Sequence, residues 1–155
     1  YKFCEKAKLR QMFIGEYHHN VDQKGRMAIP AKFRDQLASG AVVTKGLDNC
    51  LFVFTVSGWE EIASRLSSLS IGSSEQRSFS RFMLAGAVET DVDSAGRILV
   101  PDFLKEYASL GEKVVVTGVH SRIEIWEETR WSEYKGKVAR EADSLAEKLG
   151  TIGVI

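Results

Sequence analysis

A nine-residue motif that occurs twice constrains the fold of this chain more than any other feature. The run DQKGRMAIP at residues 22–30 returns as DSAGRILVP at residues 93–101, an offset of 71 positions. Further matches follow at an offset of 72, among them Leu51 with Ile123 and Trp59 with Trp131. Internal repetition of this kind decides the architecture before any single element is assigned. The sequence therefore predicts two copies of a unit of about 45 residues, each followed by a helical segment.

The length of the chain indicates how the two copies are arranged. Units this small, in a chain of 155 residues, bury too little apolar surface to be stable separately. We expect the copies to pack on each other or on other subunits. The chain is 44% hydrophobic and 27% charged, and none of its apolar runs approaches the roughly 18–20 residues of a membrane span. A globular protein that binds no membrane is therefore expected.

Each copy has the pattern of a strand, a polar turn, a short strand, a short helix and two further strands. In the first copy these strands are predicted at residues 13–21, 26–29, 41–45 and 51–55, with Gly25 free to adopt a positive φ in the turn. The last two strands of the second copy are predicted at residues 114–117 and 123–126, around a turn centred on Gly118. The apolar run at residues 51–54 predicts burial of both faces of that strand.

Longer helices are predicted after each copy. Ser57 and Thr129 occupy capping positions at their starts, and residues 70–74 interrupt the first helical region. The last helix carries apolar residues at steps of three and four, which predicts a stripe that faces the core. Its members are Trp131, Tyr134, Val138, Ala142, Leu145 and Leu149.

These patterns predict five segments along the chain. Residues 1–11 match nothing in the repeat and precede Met12, which resembles a natural start, so they are interpreted as a non-native or leader extension. The remaining segments are repeat 1 at residues 16–58, a helical connector at 59–84, repeat 2 at 87–130 and a C-terminal helix at 131–149. The two cysteines, Cys4 and Cys50, predict neither a disulfide framework nor a metal site.

The repeated motif places an aspartate four residues before an arginine, across a turn. Asp22 with Arg26, and Asp93 with Arg97, are therefore expected to form carboxylate–guanidinium pairs. Such a pair can lock a loop, although an exposed pair contributes only about 0–1 kcal/mol. We interpret Asp22, Asp93 and Arg97 as structural residues of the motif.

Local charge distinguishes the two copies, although the whole chain has a formal net charge of zero. Residues 20–36 carry four bases and two acids, whereas residues 91–107 carry two bases and four acids. If the chain binds a polyanion, the first copy is the expected contact surface. Its bases are Lys24, Arg26, Lys32 and Arg34. The alternative interpretation is a solvated charged face without a ligand.

The sequence offers no support for catalysis. It contains no phosphate-binding glycine loop, no nucleophile motif and no HExxH motif. His18 and His19 are adjacent on a predicted strand and face opposite ways, so joint metal binding is not expected. We predict neither an enzyme nor a cofactor, a metal or a small-molecule substrate.

The paired DxxGR motifs followed by proline, their spacing, and the tryptophan after each second hairpin resemble the MraZ family over residues 12–149. This resemblance implies an α+β, mainly β fold. Two tandem halves like the swapped hairpin of AbrB, known as SpoVT-AbrB repeats, would form one pseudo-two-fold double-split β-barrel with flanking helices.

The resemblance also implies a function. Members of the family are transcriptional regulators that bind repeated short promoter boxes in double-stranded DNA as a ring-shaped homo-oligomer. They usually repress their own division and cell-wall gene cluster and are associated with the nucleoid in the cytoplasm. By resemblance the ring is an octamer, and the DNA-contacting residues are Arg26 and Lys24. The alternative is a protein-interaction scaffold like the antitoxin-type proteins with a swapped hairpin.

Overall fold

The structure is a computed structural model and describes residues 12–154. The extension predicted at residues 1–11, including Cys4, lies outside the described residues, as does Ile155. The strands are β1 (Phe13–Asn20), β2 (Arg26–Ala28), β3 (Ala41–Lys45), β4 (Leu51–Thr55), β5 (Val88–Thr90), β6 (Arg97–Leu99), β7 (Lys113–His120) and β8 (Arg122–Glu127). The helices are α1 (Ala31–Arg34), followed by a 3₁₀ turn (Asp35–Leu37), α2 (Val56–Ser67), α3 (Ser74–Ala85), α4 (Asp102–Tyr107) and α5 (Glu128–Gly150). The class is therefore α+β and mainly sheet, as predicted.

The strands of the two repeats are exchanged. Six strands form an antiparallel sheet in the order β1-β7-β8-β4-β3-β5, so the first strand of each repeat pairs with the third strand of the other. Strands β4 and β8 pair at the centre of the six-stranded sheet. A pseudo-two-fold axis between them relates the two repeats. β2 and β6 form a separate two-stranded ribbon, which together with the six-stranded sheet does not close into a barrel over residues 12–154. The exchange of strands makes each repeat depend on the other for its folding.

The core fills both faces of the six-stranded sheet. Alternate residues of a strand face opposite sides, and on β4 Leu51 and Val53 join one apolar cluster whereas Phe52 and Phe54 join another. The first cluster includes residues of the ribbon, α1 and α4, and the second includes residues of α2 and α3 and the start of α5. The predicted burial of both faces of this strand is confirmed.

The predicted turn at Gly118 is wrong, because this glycine lies inside β7. Gly118 pairs with Gly15 of β1 on one side and with Ile123 of β8 on the other. A Cβ atom on Gly118 would overlap the backbone of Phe13 and Ile14. The glycine therefore permits the close approach of β1, which a turn prediction from sequence does not anticipate.

Both predicted helix caps shift by two residues. The N-cap of α2 is Thr55, whose hydroxyl accepts the N–H of Gly58 at 3.0 Å, and Ser57 lies in the first turn. The N-cap of α5 is Glu127, whose carboxylate accepts the N–H groups of Thr129 and Arg130. The break before α3 is confirmed, because that helix begins at Ser74.

The apolar stripe of α5 only partly faces the core. Trp131 and Tyr134 pack on Trp126 of β8, with ring centroids 5.4 and 4.9 Å away. Every residue from 139 to 154 is exposed, so the prediction that the whole stripe faces the core is wrong. The reason is length, since a 23-residue helix extends about 34 Å and none of the described strands lies beneath its second half.

None of the described helices combines the length and the apolar character that crossing a membrane requires.

Candidate nucleic-acid interface

Loop 1, comprising residues 22–26, is folded by the side chain of Asp22. One carboxylate oxygen accepts the backbone N–H groups of Lys24 and Arg26, each at 2.9 Å. The other oxygen accepts the Nε–H of Arg26 at 2.7 Å. Gly25 closes the turn with its N–H on the Asp22 carbonyl and a φ of 83°, a left-handed conformation that favours glycine. Asp22 therefore both shapes the turn and fixes the arginine.

Loop 2, comprising residues 93–97, repeats this construction. Asp93 accepts the N–H groups of Ala95 and Arg97 at 2.9 Å and the Nε–H of Arg97 at 3.0 Å. Gly96 has a φ of 76°. In both loops the backbone N–H of the arginine is the largest cause of a lowered aspartate pKa, and the guanidinium adds to it. Both carboxylates are therefore ionised at neutral pH.

The two motif arginines lie on the same face of the β2–β6 ribbon. Arg26 is opposite Leu99, and Arg97 is opposite Ala28. Met27 and Ile98, which point to the other side, are 0% and 1% exposed. Each arginine donates only its Nε–H to the aspartate of the same loop. Over residues 12–154, neither arginine donates a hydrogen bond from its terminal nitrogens. Each guanidinium is thus held in place and presents two free nitrogens to a ligand.

Backbone hydrogen bonds connect each loop to the opposite repeat. Ile29 of repeat 1 donates its N–H to the Gly96 carbonyl in loop 2 at 2.8 Å. Val100 of repeat 2 donates its N–H to the Gly25 carbonyl in loop 1 at the same distance. The loops and the ribbon therefore form one connected surface.

A basic side chain from the opposite repeat lies against each loop. Arg34 donates Nε–H to the Ile29 carbonyl at 2.9 Å, and its guanidinium covers Gly96, where a Cβ atom would overlap it. Lys105 stands 71 positions later and covers loop 1, with Nζ 3.7 Å from the position of a Cβ on Gly25. Lys105 also pairs with Asp102 at 3.2 Å. The position of Lys105 was not predicted from the sequence, because each repeat by itself gives no sign that this lysine lies against the loop of the other repeat.

The four bases predicted as one patch are therefore distributed. Lys24 is exposed in loop 1 next to Arg26, whereas Arg34 covers loop 2. Lys32 is exposed on α1 and lines a hollow with Ile14 and Tyr17 of β1. The structure brings together Lys24, Arg26 and Lys105 at one end of the ribbon, and Arg97 and Arg34 at the other.

In the part of the chain that the structure describes, the remaining titratable groups show no catalytic arrangement. His18 lies 3.6 Å from Glu16 and 3.5 Å from Glu128, on the exposed side of β1. His19 is half-buried, and burial and then the charge of Arg34 lower its pKa. Burial raises the pKa of the Cys50 thiol, which therefore stays protonated. Within residues 12–154 no cluster of histidine, cysteine and carboxylate side chains could hold a metal ion.

The family was established by comparison with known proteins. A family model described as "MraZ protein, putative antitoxin-like" matches residues 12–82 and again residues 83–150. The chain belongs to the MraZ family. A relative from Moorella thermoacetica is 50% identical over 138 residues, which cover 89% of this chain and 96% of the relative. A relative from Acetivibrio thermocellus is 46% identical over 143 residues, covering 92% of this chain and all of the relative.

Both MraZ relatives are named transcriptional regulators, as is one from Desulforamulus reducens that is 46% identical over 89% of this chain and 97% of its own length. These names describe regulators of transcription rather than enzymes. At this level the comparisons agree with the function that the sequence predicts.

Proposed function

We propose that this member of the MraZ family regulates transcription by binding promoter DNA through the exposed face of the β2–β6 ribbon. The observation that supports this proposal most strongly is Arg26, which Asp22 holds at Nε on that face. Its two terminal nitrogens have no partner within residues 12–154. A guanidinium fixed in this way can make a bidentate contact with guanine in the major groove or with a phosphate. A two-stranded ribbon is narrow enough to enter the major groove.

Loop 1 is proposed as the principal contact. Lys24 is exposed beside Arg26, and Lys105, whose charge Asp102 neutralises, lies at the same end of the ribbon. Loop 2 has Ser94 and Ala95 where loop 1 has Gln23 and Lys24. Lysine supplies phosphate contacts and arginine reads bases, so loop 1 carries both functions. Lys32 and Arg34 would extend the phosphate contacts on either side.

Assembly into a ring follows from the family resemblance and strengthens this proposal. A patch with a few bases makes few phosphate contacts, so one subunit binds weakly and in a strongly salt-dependent way. A ring that engages several promoter boxes at once gains roughly 10²–10⁴ in avidity without a new contact. We propose a ring-shaped homo-oligomer, an octamer by resemblance, that acts on the nucleoid. It would repress its own division and cell-wall gene cluster.

We also infer that the two sheets are the parts of one double-split β-barrel. The exchange of β1 and β5 between the repeats supports this interpretation, as does the ribbon that β2 and β6 form together. The boundaries at residues 16–58 and 87–130 are proposed for the two SpoVT-AbrB repeats.

A protein-interaction scaffold is the second candidate. The antitoxin-like description of the family favours it. An exposed apolar groove beside α2 and α3 could accept a protein, and Phe54, Leu66 and Met83 line it. In this case loop 1 is secondary to the partner site.

A binding titration on the DNA upstream of the gene tests the proposal. Wild type and Lys24→Ala are compared at two salt concentrations, with a shuffled sequence of equal length as competitor. We expect specific, salt-sensitive binding that Lys24→Ala weakens at low salt and whose salt dependence it reduces. If folded, oligomeric wild type does not distinguish the native from the shuffled DNA, the proposal is wrong and the scaffold becomes the better candidate.

A further inference from the structure

The C-terminal half of α5 carries an apolar surface that no other element within residues 12–154 covers. The helix is anchored at its start, where Trp131 packs on Trp126 and Lys135 pairs with Glu16 at 2.9 Å. Beyond these contacts, Leu145 and Leu149 are 39% and 40% exposed. Such a surface is typical of a helix that packs against another chain.

The arrangement of side chains around this half is asymmetric. At about 100° per residue, its apolar side chains fall within an arc of roughly 60°. They are Val138, Ala142, Leu145 and Leu149. Glu141 and Lys148 border one edge of this stripe, and two alanines, Ala139 and Ala146, border the other. One edge thus carries both signs of charge, and the other carries none.

We propose that this stripe binds the same stripe of a second copy of the chain, with the two helices antiparallel about a two-fold axis near residues 143 and 144. In this register Val138 lies opposite Leu149 of the second copy, and Ala142 lies opposite Leu145. The two-fold axis keeps each edge beside the same edge of the second helix. Glu141 therefore meets the second copy's Lys148, and the symmetry makes the pair twice.

Charge complementarity selects this occupant over the alternatives. A parallel pair would place the edge with Glu141 and Lys148 against the alanine edge, where neither charge has a partner. The apolar groove beside α2 and α3 is bordered by Arg65 and Arg122, but Glu61 and Glu124 already neutralise these arginines. The groove therefore gives neither Glu141 nor Lys148 a matching charge. The antiparallel pair satisfies both charges, and it depends neither on DNA binding nor on the assembly of a ring.

A substitution in the stripe tests the contact. Leu145→Asp places a charge in the proposed interface, whereas Ser144→Asp places the same charge about 100° away, outside it. Sedimentation equilibrium of the full chain, with far-UV circular dichroism to verify the helix, should show a lower mass for Leu145→Asp than for wild type. Ser144→Asp should keep the wild-type mass. An unchanged mass for Leu145→Asp, or a wild type that is monomeric over the whole concentration series, would overturn the proposal.

Exchange of the charged pair tests the orientation. Glu141→Lys and Lys148→Glu each create two like-charge contacts, and each should raise the dissociation constant about tenfold. The double variant restores opposite charges in the antiparallel pair and should return near the wild-type value. Glu147→Lys, on the opposite side of the helix, is the control and should have no effect. If the double variant associates no better than the single variants, the antiparallel arrangement is wrong.

Discussion

Loop 1 and loop 2 share one backbone construction and differ in what surrounds it. Both aspartates accept two backbone N–H groups and the Nε–H of their arginine, the latter at 2.7 Å in loop 1 and 3.0 Å in loop 2. Loop 1 carries Lys24, where loop 2 has Ala95 at the matching position. The motif therefore fixes the position of its arginine, whereas the neighbouring side chains determine what that arginine can bind. Arg34 reduces the contrast, because it adds its charge to loop 2.

Alanine at the two turn glycines should produce the largest difference between the loops. Both glycines have a positive φ, which costs an alanine about 1–2 kcal/mol. A Cβ on Gly25 would also lie 2.6 Å from the Val100 carbonyl oxygen, part of the backbone, whereas on Gly96 it would meet the movable end of Arg34. We expect Gly25→Ala to destabilise the protein by about 3 kcal/mol and Gly96→Ala by about 1–2 kcal/mol, measured by urea unfolding.

A matched control for these variants is Gly136→Ala within α5. Its Cβ would make only an ordinary contact with Arg140, and alanine is the better helix former by about 1 kcal/mol. This variant should be unchanged or slightly more stable. Equal destabilisation by Gly25→Ala and Gly96→Ala would contradict the contact between loop 1 and the Val100 carbonyl.

Alanine in place of Arg34 or Lys105, the bases that cover the loops, should change DNA affinity moderately and to different extents. Arg34 has no carboxylate partner within residues 12–154, whereas Asp102 already neutralises Lys105. Arg34→Ala should weaken DNA binding about threefold to tenfold and lower the salt slope by about one. Lys105→Ala should change affinity by less than about threefold. Fluorescence anisotropy over a salt series measures both, and a larger loss for Lys105→Ala would reverse this ranking.

The smallest expected effect is the dependence of stability on pH. The folded pKa of Asp22 and of Asp93 lies below the ordinary value of 3.8, so each ionised carboxylate stabilises the folded state above that pH. This contribution is lost as the pH falls from 3.8 through the folded pKa. The stability difference between wild type and Asp22→Asn should therefore be constant above this range and shrink below it.

Asp93→Asn provides the comparison for this pH series. Because its hydrogen bonds match those of Asp22, urea unfolding at several pH values should give the same profile for both variants. If the stability difference from wild type changes with pH for only one of the two variants, the two aspartates do not stabilise their loops in the same way.

Local pattern and repetition predicted much of the fold. The bounds of β3 and β4 agree with the predicted residues 41–45 and 51–55, and the aspartate–arginine contacts form in both loops. The position of Lys105 escaped prediction because it depends on strand exchange, which brings residues of different repeats together. The turn prediction at Gly118 was wrong for the same reason, since the absence of a side chain there lets β1 of the other repeat approach closely.

The predicted role of α5 shows a different limit. Helical periodicity identifies an apolar stripe but does not reveal what covers it. Trp131 reaches the core, whereas Leu145 lies beyond the sheet. Whether each residue is covered depends on how far α5 extends past the six-stranded sheet, which periodicity alone does not give.

The comparison of Arg26→Ala with Arg97→Ala in a titration on the native upstream DNA tests the central claim most directly. Each substitution removes the same contacts within its own loop, so a purely structural motif predicts equal losses. We expect Arg26→Ala to abolish specific binding and Arg97→Ala to retain most of it, with both proteins folded and assembled as wild type. Equal loss of binding in the two variants would contradict the proposal that loop 1 is the principal DNA contact.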